Sequence, residues 1–293
     1  MPMNNKKMRP QATAVARTMY FNNNGGDWNE VTNWYLDSNY SVTASTLPTA
    51  IDDVFVDGDS YVNNGGAIVV KNLTVGNYDS SILALTMTVT GLSTFHGSSS
   101  YEGYNGYPQT LTTGSFSFLN TSVAKSSGGG GTIIGSGSFS DTSTTRGTIN
   151  GNCTFIDSSY ADYPGTINGN CTFIDSSYAT DDSVINGICT FSGSSYTEAT
   201  INGTCAFSGS SYGGLSCLIT GNCTFAGSSY LSGQVSGDCT FNNLSYNIGG
   251  ATGNAVFNNS SENKAGGFIF GNATLNDTSL QNGTVTGTTT DNR

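Results

Sequence analysis

The thirteen residues TINGNCTFIDSSY stand at 148–160 and again, unchanged, at 166–178. Looser versions of the same phrase continue almost to the C-terminus, and setting their Phe in register divides 136–287 into nine units of 16 or 18 residues. One column is Phe139, Phe155, Phe173, Phe191, Phe207, Phe225, Phe241, Phe257 and then Leu275. Two positions earlier stand Cys153, Cys171, Cys189, Cys205, Cys223 and Cys239, and a third column is Tyr160, Tyr178, Tyr196, Tyr212, Tyr230 and Tyr246. Units usually close on a β-branched residue followed by x-Gly, as in Ile149 to Gly151 and Ile167 to Gly169.

A unit this short leaves no room for a helix, and segments such as C-T-F and T-I are too brief to make a sheet alone. Coiling the chain so that equivalent segments stack about 4.8 Å apart lets each coil supply the hydrogen-bond partners of the next. Composition agrees. Only 10% of the residues are charged and 39 are Gly, which starves helices of Glu, Lys and Arg. Disorder is opposed by 15 Phe and 15 Tyr. The expected fold is an all-β, single-stranded parallel β-solenoid of roughly twelve coils, about 55 to 60 Å long, with an N-terminal arm and cap. Alternation within C-T-F places Cys and Phe inside and Thr outside, with the Ile or Val before Gly completing a narrow interior. Coil length varies almost only after the Tyr, so one loop corner absorbs the changes.

Upstream the period loosens. LTV at 73–75, MTV at 87–89, LSTF at 92–95 and FSFL at 116–119 read as earlier rungs of about 21 to 23 residues, and EGYNGYPQ at 102–109 is the largest corner insertion. The chain is therefore divided into a basic arm (1–19), a cap (20–70), irregular longer coils (71–135) and regular repeats (136–293). The cap carries both tryptophans and should shield the exposed edge of the coil stack.

The net charge of −11 is uneven, because Lys6, Lys7, Arg9 and Arg17 put four positive charges and no acid into the first twenty residues. The acidic body repels nucleic acid and anionic membrane, so neither is an expected partner. The basic stretch is read as a docking arm for an acidic partner. It lacks the apolar core of a secretory leader, and no span reaches 18 apolar residues.

Candidate chemistry is sparse, and neither cofactor nor metal is expected. Six of the seven cysteines share one column in which the Cβ vectors run parallel, which suits a disulfide torsion badly, so they read as buried free thiols. A straight row cannot offer tetrahedral metal ligands. His96 is the only histidine, and HGSSS at 96–100 supplies it with serines that are corner letters of every unit. Asp157 and Asp175 share one repeat position that other units fill with Gly or Asn, which is a poor start for a glycosidase carboxylate pair. Asp57 and Asp59 in VDGDS could hold Ca²⁺, but the EF-hand pattern is absent. The Tyr column is a possible glycan contact, although ring-on-ring stacking is the simpler use. Asn152, Asn170, Asn222 and Asn272 sit in Asn-x-Ser/Thr sequons and are read as solenoid corners.

One segment resembles a known pattern. Trp28, Asn33, Trp34, Pro48, Ala50, Asp52, Asp53, Val54, Asn72, Leu73, Thr74 and Val75 match the W…NW…PxAxDDV…VxNLTV opening that precedes β-solenoids in bacterial surface adhesins and in phage and viral appendage proteins. With the basic arm and the lack of an export signal, the resemblance implies a non-enzymatic structural protein of a virus particle: a capsid decoration, fibre or spike in the virion of a phage. Its expected partners are other virion proteins reached through the arm, with a homotrimer and a host glycan as further expectations. The alternatives are a cell-surface carbohydrate-binding adhesin and, behind it, a glycan-degrading enzyme.

Overall fold

The computed structural model describes residues 14–22, 24–57, 61–63, 68–76, 81–83, 86–103, 109–126, 131–162 and 165–293. It is the expected all-β parallel solenoid. Each regular coil contributes three short strands, for example Cys171–Phe173, Tyr178–Ala179 and Val184–Ile185. Strands of the first and third kind merge into a 26-stranded sheet, whereas the Tyr strands form a separate 14-stranded sheet. Pairing from coil to coil is parallel and strictly in register: Cys153, Thr154 and Phe155 lie over Cys171, Thr172 and Phe173, and these over Cys189, Thr190 and Phe191. A one-residue slip would turn each Phe to water, so the buried face itself fixes the register.

Inside, the Phe rings form a single column. Successive centroids from Phe118 to Phe257 are 4.7 to 4.9 Å apart with rings 4 to 14° from parallel, and each ring is buried. The facing column is small where the rings need room: Ala161, Ala179, Thr197 and Gly213, with Phe207 Cζ within 3.8 Å of the place a Cβ would take on Gly213. The bend between the T-I and C-T-F strands is held by backbone crowding. A Cβ on Gly169 would collide with the carbonyl oxygen of Gly151, and one on Gly187 with that of Gly169, so this corner admits only glycine.

Stacking begins earlier than residue 71. Thr18–Phe21 pairs in parallel with Asp53–Asp57, which pairs with Asn72–Gly76, placing Phe21, Val56, Val75 and Phe95 at the head of the Phe column. The segment expected only as a cap thus also supplies rungs. MTV and LSTF are two halves of one strand, Met87–Phe95, whose first half continues the T-I column through Ile68–Val70. The matched motif residues build this end. Trp34 Nε1 donates to the Trp28 carbonyl at 2.9 Å, the two indoles meet edge-on at 4.5 Å, and Phe21 packs edge-on against Trp34 at 5.1 Å. Asn72 bridges two coils, its Nδ2 donating to Asp53 Oδ1 and its Oδ1 accepting from the Leu92 N–H. The 102–109 insertion falls mostly outside the described residues.

At the other end Asp291 occupies the Phe column above Leu275. Its carboxylate is paired with the Arg293 guanidinium, which also donates to the Ser279 carbonyl at 2.8 Å.

Candidate functional site

The outward columns and corners are where chemistry would have to reside, and the corner after Phe is the most regular of them. In F-I-D-S-S-Y the Asp position is left-handed: φ is +61° at Asp157 and Asp175, +69° at Gly193, +67° at Gly209, +71° at Gly227 and +59° at Asn243. Gly, Asn and Asp are the residues that tolerate this conformation, so the alternation of acid, amide and glycine satisfies a backbone requirement. The carboxylates at 157 and 175 are therefore accounted for without catalysis.

Two residues on, a serine turns inward. Ser159, Ser177, Ser195, Ser211, Ser229, Ser245 and Ser261 are fully buried, and each Oγ donates to the carbonyl of the Phe one coil back, at 2.9 to 3.3 Å. In the sequence these hydroxyls stand only as corner letters. They are the polar ties between coils, and their invariance at one place in every unit was the available signal.

The Tyr column forms a continuous ribbon. Tyr160, Tyr178, Tyr196, Tyr212, Tyr230 and Tyr246 stack with centroids 4.8 to 5.1 Å apart and planes within 1 to 5°. Burial in the stack pushes the hydroxyls of Tyr178, Tyr196, Tyr212 and Tyr230 up, helped by neighbouring phenols and acids. Both ends are closed: Lys264 Nζ lies 3.5 Å over the Tyr246 ring, and Tyr160 sits over Thr144 beside Arg146, which is paired with Asp162 at 2.7 Å. A sugar stacking on an aromatic ring needs an open ring face, and here the neighbours cover them. The ribbon offers ring edges and hydroxyls, which weakens it as the glycan contact expected from sequence.

All seven cysteines are free and buried. Burial pushes the thiols of Cys153, Cys205, Cys217 and Cys239 up. Within the row Cys189 accepts from Cys171 and Cys205, and these hydrogen bonds lower its thiol while the same contact raises that of Cys171. The imidazole of His96 packs on Gly76, with Nε2 buried and lacking a polar partner among the described residues. No three His, Cys, Asp or Glu side chains gather as metal ligands among the described residues. Asp59 and the side chain of Asp57 fall outside them. The sequon asparagines tie coils together: Asn152 Oδ1 accepts from the Asn170 N–H, Asn170 from Ile188, Asn222 from Asp238 and Asn272 from Thr288.

Of the basic arm, Lys6, Lys7 and Arg9 lie outside the described residues. Arg17 is engaged within the chain. Its guanidinium donates to both oxygens of the buried Asp52, to Thr46 Oγ1 and to the Leu47 carbonyl. Burial would push the Asp52 carboxyl up, but hydrogen bonds from the Arg17 and Thr49 side chains and backbones outweigh it and hold the carboxyl at about 2. Arg17 thus acts as a clamp between the first rung and the turn at 49–52, and its charge has an internal partner.

No family model, curated protein or solved structure matches the chain. No helix among the described residues is long and apolar enough to cross a membrane, which says nothing of strands.

Proposed function

We propose that this chain is a non-enzymatic structural protein of a virus particle, a rigid rod carried as a capsid decoration, fibre or spike and anchored through its basic N-terminal stretch. The observation that carries the reading is one continuous stack of paired rungs over a buried core that runs from Phe21 at the cap to Leu275, through the bulged strand Gln109–Phe118. From Phe95 to Phe257 successive coils are tied by backbone pairing, stacked Phe rings and a buried Ser, an economy suited to spanning distance rather than to shaping a cleft. The corner acids support the same reading, since their alternation with Gly and Asn serves the backbone. Three of the four cations, Lys6, Lys7 and Arg9, precede the first rung in sequence and carry the anchoring role, whereas Arg17 is held by Asp52.

The test is incorporation. Residues 1–13 can be removed while Arg17 and the Thr18–Phe21 strand are kept, which leaves the clamp on Asp52 intact. The truncated chain should keep its β-type circular dichroism and be missing from purified particles. Unchanged incorporation would refute the anchoring role, and recovery of the full-length chain only in cell-surface fractions would refute the particle assignment.

A further inference from the structure

Six cysteines fill one inward column on six successive coils, Cys153, Cys171, Cys189, Cys205, Cys223 and Cys239, each paired in register with the next. All six are buried free thiols. The repeat along the rod is set by the rings two residues farther along the same strands: Phe155 to Phe241 stack at 4.7 to 4.8 Å. Identical side chains in register repeat with that same step, so adjacent sulfurs are about 4.8 Å apart. The sulfurs also face one another, since thiol-to-thiol hydrogen bonds join Cys171, Cys189, Cys205 and Cys223. Packing alone does not require sulfur here. Ala255 and Ala273 take the same position on the next two coils and are equally buried.

We infer that this column is a binding site for soft monovalent cations of the Cu(I) class, each bridged between the sulfurs of two adjacent coils. A metal–thiolate bond is about 2.3 Å long, so two in line span about 4.6 Å, close to the coil repeat. Strand side chains stand across the rod axis, so the line joining neighbouring sulfurs meets each C–S bond near a right angle, and an ion midway reaches a lone pair on both. A straight row denies a third or fourth ligand, and no three His, Cys, Asp or Glu side chains converge among the described residues, which disfavours tetrahedral Zn²⁺. Soft thiolate-seeking ions accept two ligands in line. The charges balance without leaving an ion unpaired in the dry column: two thiols and one M⁺ give RS–M–S(H)R and one proton, which passes to solvent. One S–H bond breaks, two S–M bonds form, and nothing is oxidised or reduced. The ion occupies the gap between sulfurs and adds no bulk to the core, unlike an alkylating group. Six sulfurs taken in pairs, Cys153 with Cys171, Cys189 with Cys205 and Cys223 with Cys239, hold three ions. Cys217 precedes the Leu218–Ile219 strand and is not part of the row.

The site needs neither the arm nor a particle, so the isolated full chain serves as the sample. The reduced chain is incubated with Ag⁺, a redox-stable ion of the same class, washed with glutathione to strip surface ions, and weighed by native mass spectrometry. Three silver ions should remain, each having displaced one proton. Two variants keep the same number of column thiols and differ only in adjacency. Cys153→Ala/Cys171→Ala/Cys189→Ala leaves Cys205, Cys223 and Cys239 on successive coils and should retain one ion. Cys171→Ala/Cys205→Ala/Cys239→Ala leaves Cys153, Cys189 and Cys223, no two of them on adjacent coils, and should retain none. Alanine already fills this position at 255 and 273, and the β-type circular dichroism checks that both variants fold. No retained ion on the parent chain, one ion per thiol, or equal retention by the two variants would overturn the assignment. The parent count and its proton loss decide the matter even where a variant fails to fold.

Discussion

Replacing Asp175 in turn by glycine, alanine and valine separates a conformational role of the corner acid from a chemical one. The residue sits at φ +61°, where an ordinary L-residue pays roughly 1–2 kcal/mol and Asp pays less. The side chain has little else to lose: at the equivalent corner one coil back, Asp157 accepts only a long 3.3 Å bond from the Asp141 N–H. Glycine relieves the strain but frees the unfolded chain by about 0.5–1 kcal/mol, so Asp175→Gly should fall within roughly 0.5 kcal/mol of the parent. Asp175→Ala should lose about 1 kcal/mol and Asp175→Val about 2, since a β-branched residue is the worst suited to positive φ. The companion change Gly193→Ala should cost at least about 2 kcal/mol, because its new Cβ would also press to 2.9 Å on the Cα of Asp175. Urea denaturation followed by far-ultraviolet circular dichroism gives the order, read as midpoints because a coil stack need not melt in one step. Equal losses for glycine and alanine would show that the carboxylate itself matters, and the conformational account would fail.

Phe191→Ala removes a fully buried ring stacked at 4.8 and 4.7 Å on both neighbours and should cost about 4–5 kcal/mol; a loss below about 2 in the same urea assay would mean the column is not close-packed. The Arg17–Asp52 clamp has a pH signature. Asp52 is held below its unfolded value, so its contribution is present above about pH 4 and is lost as pH falls through about 2; melting temperature should drop over that window, and Arg17→Met should both lower it at neutral pH and flatten the acid limb. The thiols should be inert: iodoacetamide at about pH 8 should leave the native chain unmodified, whereas mass analysis after denaturation without reductant should count seven labelled cysteines, and any disulfide pair in that count would contradict the free column.

Much of the fold was legible because the side-chain period of a strand is two and the coil period is fixed, so Cys153, Phe155 and Ile167 declare their faces by spacing alone. The inward serines were harder to recognise, since Ser159 and Ser177 are small, polar and placed in a turn, which is also how a solvated loop is spelled. Their burial depends on a carbonyl one coil away, a contact with no local signature. The column of Asp157, Asp175, Gly193 and Asn243 did carry its explanation, because those three residue types share the left-handed region and little else. The first rungs were obscured by distance: Phe21 meets Val56 across an intervening cap, and no period links them. Arg17 shows how composition misleads, for it was grouped with Lys6, Lys7 and Arg9 by charge although its partner is an acid 35 residues on.

Because like residues lie over like residues, tension applied between the two ends would load the coils in series, each held by the same few hydrogen bonds and one stacked ring. Such a spring has no single breaking point in its middle; it should peel from an end in steps of one coil, about 16 to 18 residues of slack at a time, and rewind when released. Bending loads the two sheets and the packed interior together, so the same molecule would be stiff sideways and extensible lengthwise.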